Sequence, residues 1–362
     1  MLTRRAFGRL LAGVPGAALA DSGAIGAAFA QARPNSLIEG VQIGTITSSF
    51  RSMRDQSAEA TLKYLVESGI SAVELMGAPV EAFAGAPGTA RAAGSGTPAA
   101  PGGGVAAWLG EPCETPGAAA RPAVAAPGAG ARGPAGTAAD RQSARREKAS
   151  ALKAWRSSVS MDAFKKLRRL YNDAGVTIYA WKQLNPAMSD EEVEYVFDVA
   201  AALGCTHTTL ELPTSRAQLK RIGAFAMTKK IYAAYHTHLP ASMTAFDRAF
   251  AASPGNMANV DLAHWAGAGG AGGPAIQFLQ KHHDRIASVH LKDRTSAKGC
   301  ALNQPWGKGD TPIREILQLV KKSGWRMPAT IELEYAIPPG SDAVKEVRAC
   351  LEYCRSALMA RT

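Results

Sequence analysis

Residues 285–294 read RIASVHLKDR. IASVHL (286–291) is an apolar run of strand length, yet it carries His290 next to its end and is followed at once by Lys292, Asp293 and Arg294. A short apolar run bounded by polar residues suits a strand buried on both faces of a parallel sheet. A histidine and three charges at its carboxyl end put chemistry at the strand tip. The same pattern recurs in VQIGTI (41–46), SAVELM (71–76), VTIYAW (176–181), HTTLEL (207–212), IYAAYH (231–236), MANVDL (257–262) and ATIELE (329–334).

Helical patterns fill the intervals. Ser189 and Glu192 have capping-box spacing before EEVEYVFDVAAALG, in which Val193, Val196, Phe197 and Ala200 make one stripe and Gly204 ends it. SMDAFKKLRRLYNDAG repeats this with Ser160, Phe164, Leu167, Leu170 and Gly175. Strands that alternate with helices pair in parallel. Eight such units, with no GxGxxG after the first strand, predict a closed (β/α)8 barrel, an α/β fold of the TIM type, rather than a doubly wound sheet.

One stretch breaks the rhythm. Residues 78–150 are mostly Ala, Gly, Pro and Arg, as in GTARAAGSGTPAAPGGG, and have almost nothing to bury. They read as a long disordered insertion after the second strand, either a spacer or a mobile lid, with Trp108 and Leu109 as its only docking patch. The barrel is therefore expected from 41–77 and 151–359.

The amino terminus, residues 1–30, places Arg4 and Arg5 before Phe7. A Gly/Ala-rich run follows, with two small-x-small sites, Ala18-Leu-Ala20 and Ala28-Phe-Ala30. It resembles a twin-arginine signal peptide. That resemblance implies export of the folded chain by the twin-arginine machinery, a periplasmic or secreted mature protein, and no permanent membrane anchor, since the run is short and flecked with Gly and Pro.

The 41 Lys and Arg exceed the 30 Asp and Glu by 11, but they are scattered rather than clustered with aromatics, which argues against a nucleic acid partner. The five cysteines form no CxxC pair and no zinc-ribbon spacing. Cys350 and Cys354, one helical turn apart, read as small core residues.

The last four strands end on His236, Asp261, His290 and Glu332. One buried histidine is ordinary, but two imidazoles and two carboxylates around one rim call for a positive partner, and a divalent cation supplies it. Mixed nitrogen and oxygen donors suit Mn, Zn, Fe or Co better than Ca.

From Val41 to about Leu358, outside the insertion, these motifs resemble the xylose isomerase-like superfamily of sugar isomerases, epimerases, dehydratases and endonucleases. The resemblance implies one divalent metal held by His236, Asp261, His290 and Glu332. Glu211, in TLELP, is a rival for the place of His236, because relatives carry Glu where this chain has His236-Thr-His238. It also implies a small carbohydrate substrate and an enediolate mechanism. Glu211, His238 and Lys292 are then the catalytic candidates, and Lys182, His264, Arg294, Trp306 and Glu334 the substrate-binding ones.

Isomerisation or epimerisation is the leading expectation; elimination and hydration of a 3-keto-glycoside, or sugar binding without catalysis, are the alternatives. The endonuclease branch needs further His and Asp ligands after the seventh strand, and residues 295–310 contain Asp310 but no histidine.

Overall fold

Eight parallel strands close into a barrel in this computed structural model, which describes residues 33–88, 138–238, 241–268 and 275–360. In chain order they are β1 (Val41–Ile46), β2 (Ala72–Met76), β3 (Thr177–Lys182), β4 (His207–Glu211), β5 (Tyr232–His236), β6 (Asn256–Asp261), β7 (Ile286–Leu291) and β8 (Ala329–Ile331). Each pairs in parallel with its predecessor, and β8 returns to β1 through Ala329↔Ile43 and Ile331↔Thr45. The two-residue strand Leu37–Ile38 adds to β1 antiparallel.

The helices are α1 (Ala58–Ser68), α2 (Gly77–Phe83), α3 (Ala138–Arg156), α4 (Asp162–Asp173), α5 (Asp190–Leu203), α6 (Arg216–Lys229), α7 (Asp247–Ala252), α8 (Ala263–Gly267), α9 (Ala275–His282), α10 (Ile313–Ser323) and α11 (Ala343–Met359). The capping box of Ser189 and Glu192 starts α5, and Gly204 in the left-handed region ends it, as the spacing requires. On α4 the buried face is Phe164, Leu167 and Tyr171, so Tyr171 rather than Leu170 completes the stripe. Its hydroxyl donates to the carbonyl of Ala58, which ties α4 to α1. Cys350 and Cys354 are free and lie in the buried face of α11.

The expected insertion of 78–150 is too wide. Residues 78–83 belong to α2 and 138–150 to α3, whose exposed face is polar enough to need little burial. Arg156 at the end of α3 is partly buried, its side chain 8% exposed, and pairs with Glu81 of α2 at 2.8 Å and with Glu192 of α5 at 3.0 Å. A partly buried guanidinium is tolerated because these two carboxylates accompany it, and Glu81 also accepts from the Tyr195 hydroxyl. The remaining part, 89–137, and the amino-terminal 1–32 lie outside the described residues.

The barrel is filled rather than hollow. A Cβ on Gly44 would lie 2.7 Å from the Tyr179 ring, so only glycine lets that ring cross the interior to reach Thr330, 2.7 Å from its hydroxyl. His207 adds a further polar tie, with Nε2 3.0 Å from the Ser288 hydroxyl. This floor leaves the carboxyl ends of the strands as the open face, where barrel sites form.

Candidate active site

Strand register brings the expected residues to one rim. Glu211 pairs with His236 across β4 and β5, and Asp261 with His290 across β6 and β7. Glu332 lies one residue beyond the short β8, beside the end of β7, where its backbone N–H donates to the Leu291 carbonyl. Side chains two apart on a strand share a face, so His290 and Lys292 both turn inward, as do Glu332 and Glu334.

At the base of the cluster is a residue that strand reading passes over. Glu74 of β2 is fully buried and takes the Thr209 hydroxyl at 2.6 Å, the Asn259 amide at 3.3 Å and His290 Nε2 at 2.8 Å. The other nitrogen of His290, Nδ1, faces Glu332 Oε2 at 3.1 Å. Burial opposes charge on this ring, but the two carboxylates outweigh it and hold His290 at about 10. Burial likewise opposes the Glu74 carboxylate, and the His290 charge overcomes this and lowers it to about 2.

Above this pair sits Lys292, also buried. Its ammonium donates to Glu332 at 3.0 Å and Glu334 at 2.7 Å, and stands 2.7 Å from Asp261. Three carboxylates around one ammonium keep Lys292 charged against the opposing effect of burial. The neighbouring imidazole of His264 is 3.0 Å from the same Asp261 oxygen.

The outer layer is wetter. Glu211, half exposed, bridges Lys182 and His238, each at 3.0 Å. Burial alone would raise Glu211, but His238 and Lys182 outweigh it and lower it to about 2. In return, the Glu211 hydrogen bond raises His238. His236 is the opposite case, since burial and then the charge of His290 lower it to about 3 and keep it neutral. Arg294 is buried beside His264, with Nη1 3.4 Å from its Nδ1.

Eleven of the twelve residues singled out from sequence therefore meet at the mouth, linked pairwise: Lys182, Glu211, His236, His238, Asp261, His264, His290, Lys292, Arg294, Glu332 and Glu334. Trp306 does not join them. It packs edge-to-face on Tyr353 of α11, with centroids 5.7 Å apart, and so anchors its loop. Asp310 accepts from the Ser296 N–H in the same loop, and Pro312 precedes α10.

A model of the xylose isomerase-like TIM barrel matches residues 147–354, more than half of the chain. The chain belongs to that family. No curated protein matches. Among solved structures, a xylose isomerase domain protein from Alicyclobacillus acidocaldarius superposes with a TM-score of 0.54 at 14% identity, over 88% of this chain and all of its own. A sugar phosphate isomerase/epimerase from Parabacteroides distasonis gives 0.51 at 14%, over 96% and 100%. The 3-keto-D-glucoside 4-epimerase of E. coli gives 0.51 at 11%, over 87% and 99%. At these identities the likeness is one of fold.

Xylose isomerase-like barrels often bind a metal, and the side chains here fit one. His236, His290 and Glu332, all buried, offer donor atoms within 4.8 Å of one another, and His236, His238 and His264 form an overlapping trio. His236 Nδ1 is buried with no hydrogen-bond partner among the described residues, which is a cost unless something takes its lone pair. His290 differs from the expected ligand in one respect. Both its nitrogens already face carboxylates, so a cation at Nδ1 would take the place of the proton shared with Glu332.

Proposed function

We propose that this chain is a sugar isomerase or epimerase that moves a proton beside the carbonyl of a keto-sugar. The observation that carries this reading is the pairing of a buried ammonium, Lys292, with a solvent-reaching acid–base couple, Glu211 and His238, on one rim. His236, Asp261, His290 and Glu332, with Glu211 as the rival to His236, are the residues proposed to hold one divalent metal. Such a metal, when bound, polarises substrate oxygens.

The chain's own groups supply the rest. His238, 62% exposed, meets substrate directly, and Glu211 holds its ring and shares its proton. The couple takes the proton from the carbon beside the carbonyl and returns it. Lys292 stabilises the enediolate oxygen as charge develops. Lys182, His264, Arg294 and Glu334 orient the hydroxyl groups; Trp306 acts only through its loop.

Return of the proton to the neighbouring carbon gives isomerisation, and return to the opposite face gives epimerisation. Expulsion of a β-substituent would give elimination from the same enediolate, the mode of a 3-keto-glycoside lyase or hydrolase. The test is incubation of the Mn-loaded protein in heavy water with free ketoses and 3-keto-glycosides, followed by NMR. Deuterium should enter next to the carbonyl, and His238→Gln should slow this by about 10²–10⁴-fold, the usual worth of a positioned acid–base group. Binding without any exchange would leave a non-catalytic sugar-binding barrel.

We also propose export by the twin-arginine route and a periplasmic or secreted mature protein. Among the described residues no helix is long and apolar enough to cross a membrane. Arg4→Lys with Arg5→Lys should leave full-length protein in the cytoplasm while the unaltered chain is shortened and released. Equal shortening of both would remove the proposal.

A further inference from the structure

Among the described residues the fully buried lysines and arginines are Lys292 and Arg294; Lys292 is accompanied by acid, as are the partly buried Lys182 and Arg156. Lys292 has Asp261, Glu332 and Glu334 around it, Lys182 has Glu211, and Arg156 has Glu81 and Glu192. Arg294 is only 5% exposed, yet among the described residues no carboxylate oxygen comes within 4.0 Å of its guanidinium. Its sequence neighbour Asp293 is turned away, with its oxygens on the N–H groups of Gly307, Lys308, Gly309 and Thr311. Glu334 approaches only by way of Asn303, whose amide donates to it at 3.4 Å.

The side chain is also held in place. Nε donates to Asn303 Oδ1 at 3.0 Å and Nη1 lies 3.4 Å from Nδ1 of the His264 ring, while Nη2 has no protein partner among the described residues. A Cβ on Gly267 would come within 3.0 Å of Arg294 Cδ, so α8 presses directly on the stem. The backbone on either side is fixed by Thr311 and Asp310. An uncompensated buried guanidinium is costly, and a pre-positioned one with open donors is a receptor for a planar anion.

We infer that Arg294, with His264 and Asn303 beside it, is a carboxylate subsite, and that the substrate is a sugar acid. The inference rests on the carbohydrate site proposed above and narrows it. A carboxylate fits better than a phosphate because one monovalent cation is uncompensated; Lys182 and Lys292 already have acid partners, so a phosphate dianion would lack a second cation. Two parallel N–H···O bonds from the fork would fix the orientation of the sugar chain, placing its carbonyl toward Lys292.

The experiment is calorimetric titration of the full chain, Mn-loaded and chelator-treated, with D-glucuronate and D-galacturonate against D-glucose, D-galactose and D-glucose 6-phosphate. The uronates should bind at least about tenfold tighter than their neutral counterparts, the worth of a charge-assisted hydrogen bond. Arg294→Gln should erase that difference, and Arg294→Lys, which keeps the charge but not the fork, should keep part of it. Should Arg294→Gln fail to fold, Arg294→Lys and the ligand panel on the unaltered chain still decide.

Equal binding of acid and neutral sugars overturns the inference. So do a preference that survives Arg294→Gln, tighter binding of the phosphate, or no binding of either uronate. Deuterium exchange into neutral keto-sugars tests the underlying site separately: exchange without acid preference removes the carboxylate subsite alone, and absence of both removes both readings.

Discussion

Replacing Lys292 by methionine should destabilise the metal-free protein by about 3–5 kcal/mol, the usual cost of stripping one partner from a buried ion pair. For a chain of this size that is a fall in Tm of the order of 10 °C. The reason is geometric. The ammonium is within 3.0 Å of Asp261, Glu332 and Glu334, and methionine fills the stem's space but leaves three carboxylates facing one another.

The same variant should gain affinity for divalent cations, because the charge that competes with them is gone. Mn or Zn at a hundred times Kd would return about 2.7 kcal/mol by linkage. Thermal unfolding with chelator and then with added metal reads both effects. An unaltered Tm in chelator would show that the carboxylates are not held together by Lys292. A lowered Tm that no cation raises would show that they do not converge on a metal position.

Glu74→Gln should have the second largest effect. Glutamine can still accept from Thr209 but presents no charge to His290, and the loss of a fully buried partner again costs about 3–5 kcal/mol. The pH dependence identifies the mechanism. Glu74 is depressed from its ordinary 4.5 to about 2, so its contribution is present above pH 4.5 and is lost as pH falls toward 2. His290 is raised from 6.5 to about 10, so its contribution is complete below pH 6.5 and is lost as pH rises through 10.

Chelator-treated protein should therefore be most stable between about pH 4.5 and 6.5. In Glu74→Gln the alkaline limb should move down, since only Glu332 still supports the imidazolium. NMR titration of the His290 ring in chelator gives the check. A midpoint near 10 in both proteins would mean that Glu74 does not hold the ring's charge. The acid limb is less diagnostic, because Asp261 and Glu332 are also held below their ordinary range by Lys292 and the histidines.

Glu74 shows where sequence reading stops. In SAVELM the glutamate is one polar residue in an apolar strand, and nothing local says whether it faces solvent, helix or barrel axis. Its position follows from closure: β2 between β1 and β3 turns Glu74 inward toward Thr209 of β4 and Asn259 of β6, residues 135 and 185 positions away. The lone acid in a strand was the available signal, and only ring closure gives it partners. Trp306 errs the other way. A tryptophan in a Gly-rich loop after a catalytic strand suggests a sugar platform, but α11 returns beneath that loop and Tyr353 claims the ring.

The period-two and period-3.6 patterns, the Ser189 capping box and the terminal glycines are local, so they determined the eight strands and helices such as α4 and α5 without reference to the rest of the chain, whereas α2 and α3 fell inside the expected insertion. They also put His236, Asp261, His290 and Glu332 at strand ends, because a strand tip is visible where an apolar run stops. Tertiary structure alone decided who neutralises whom: that Glu74 grips His290, that Lys292 takes three acids, and that Arg294 is left with none among the described residues. Charge pairing depends on distances of a few ångströms between residues far apart in the chain, and those distances are set only when the last strand closes against the first.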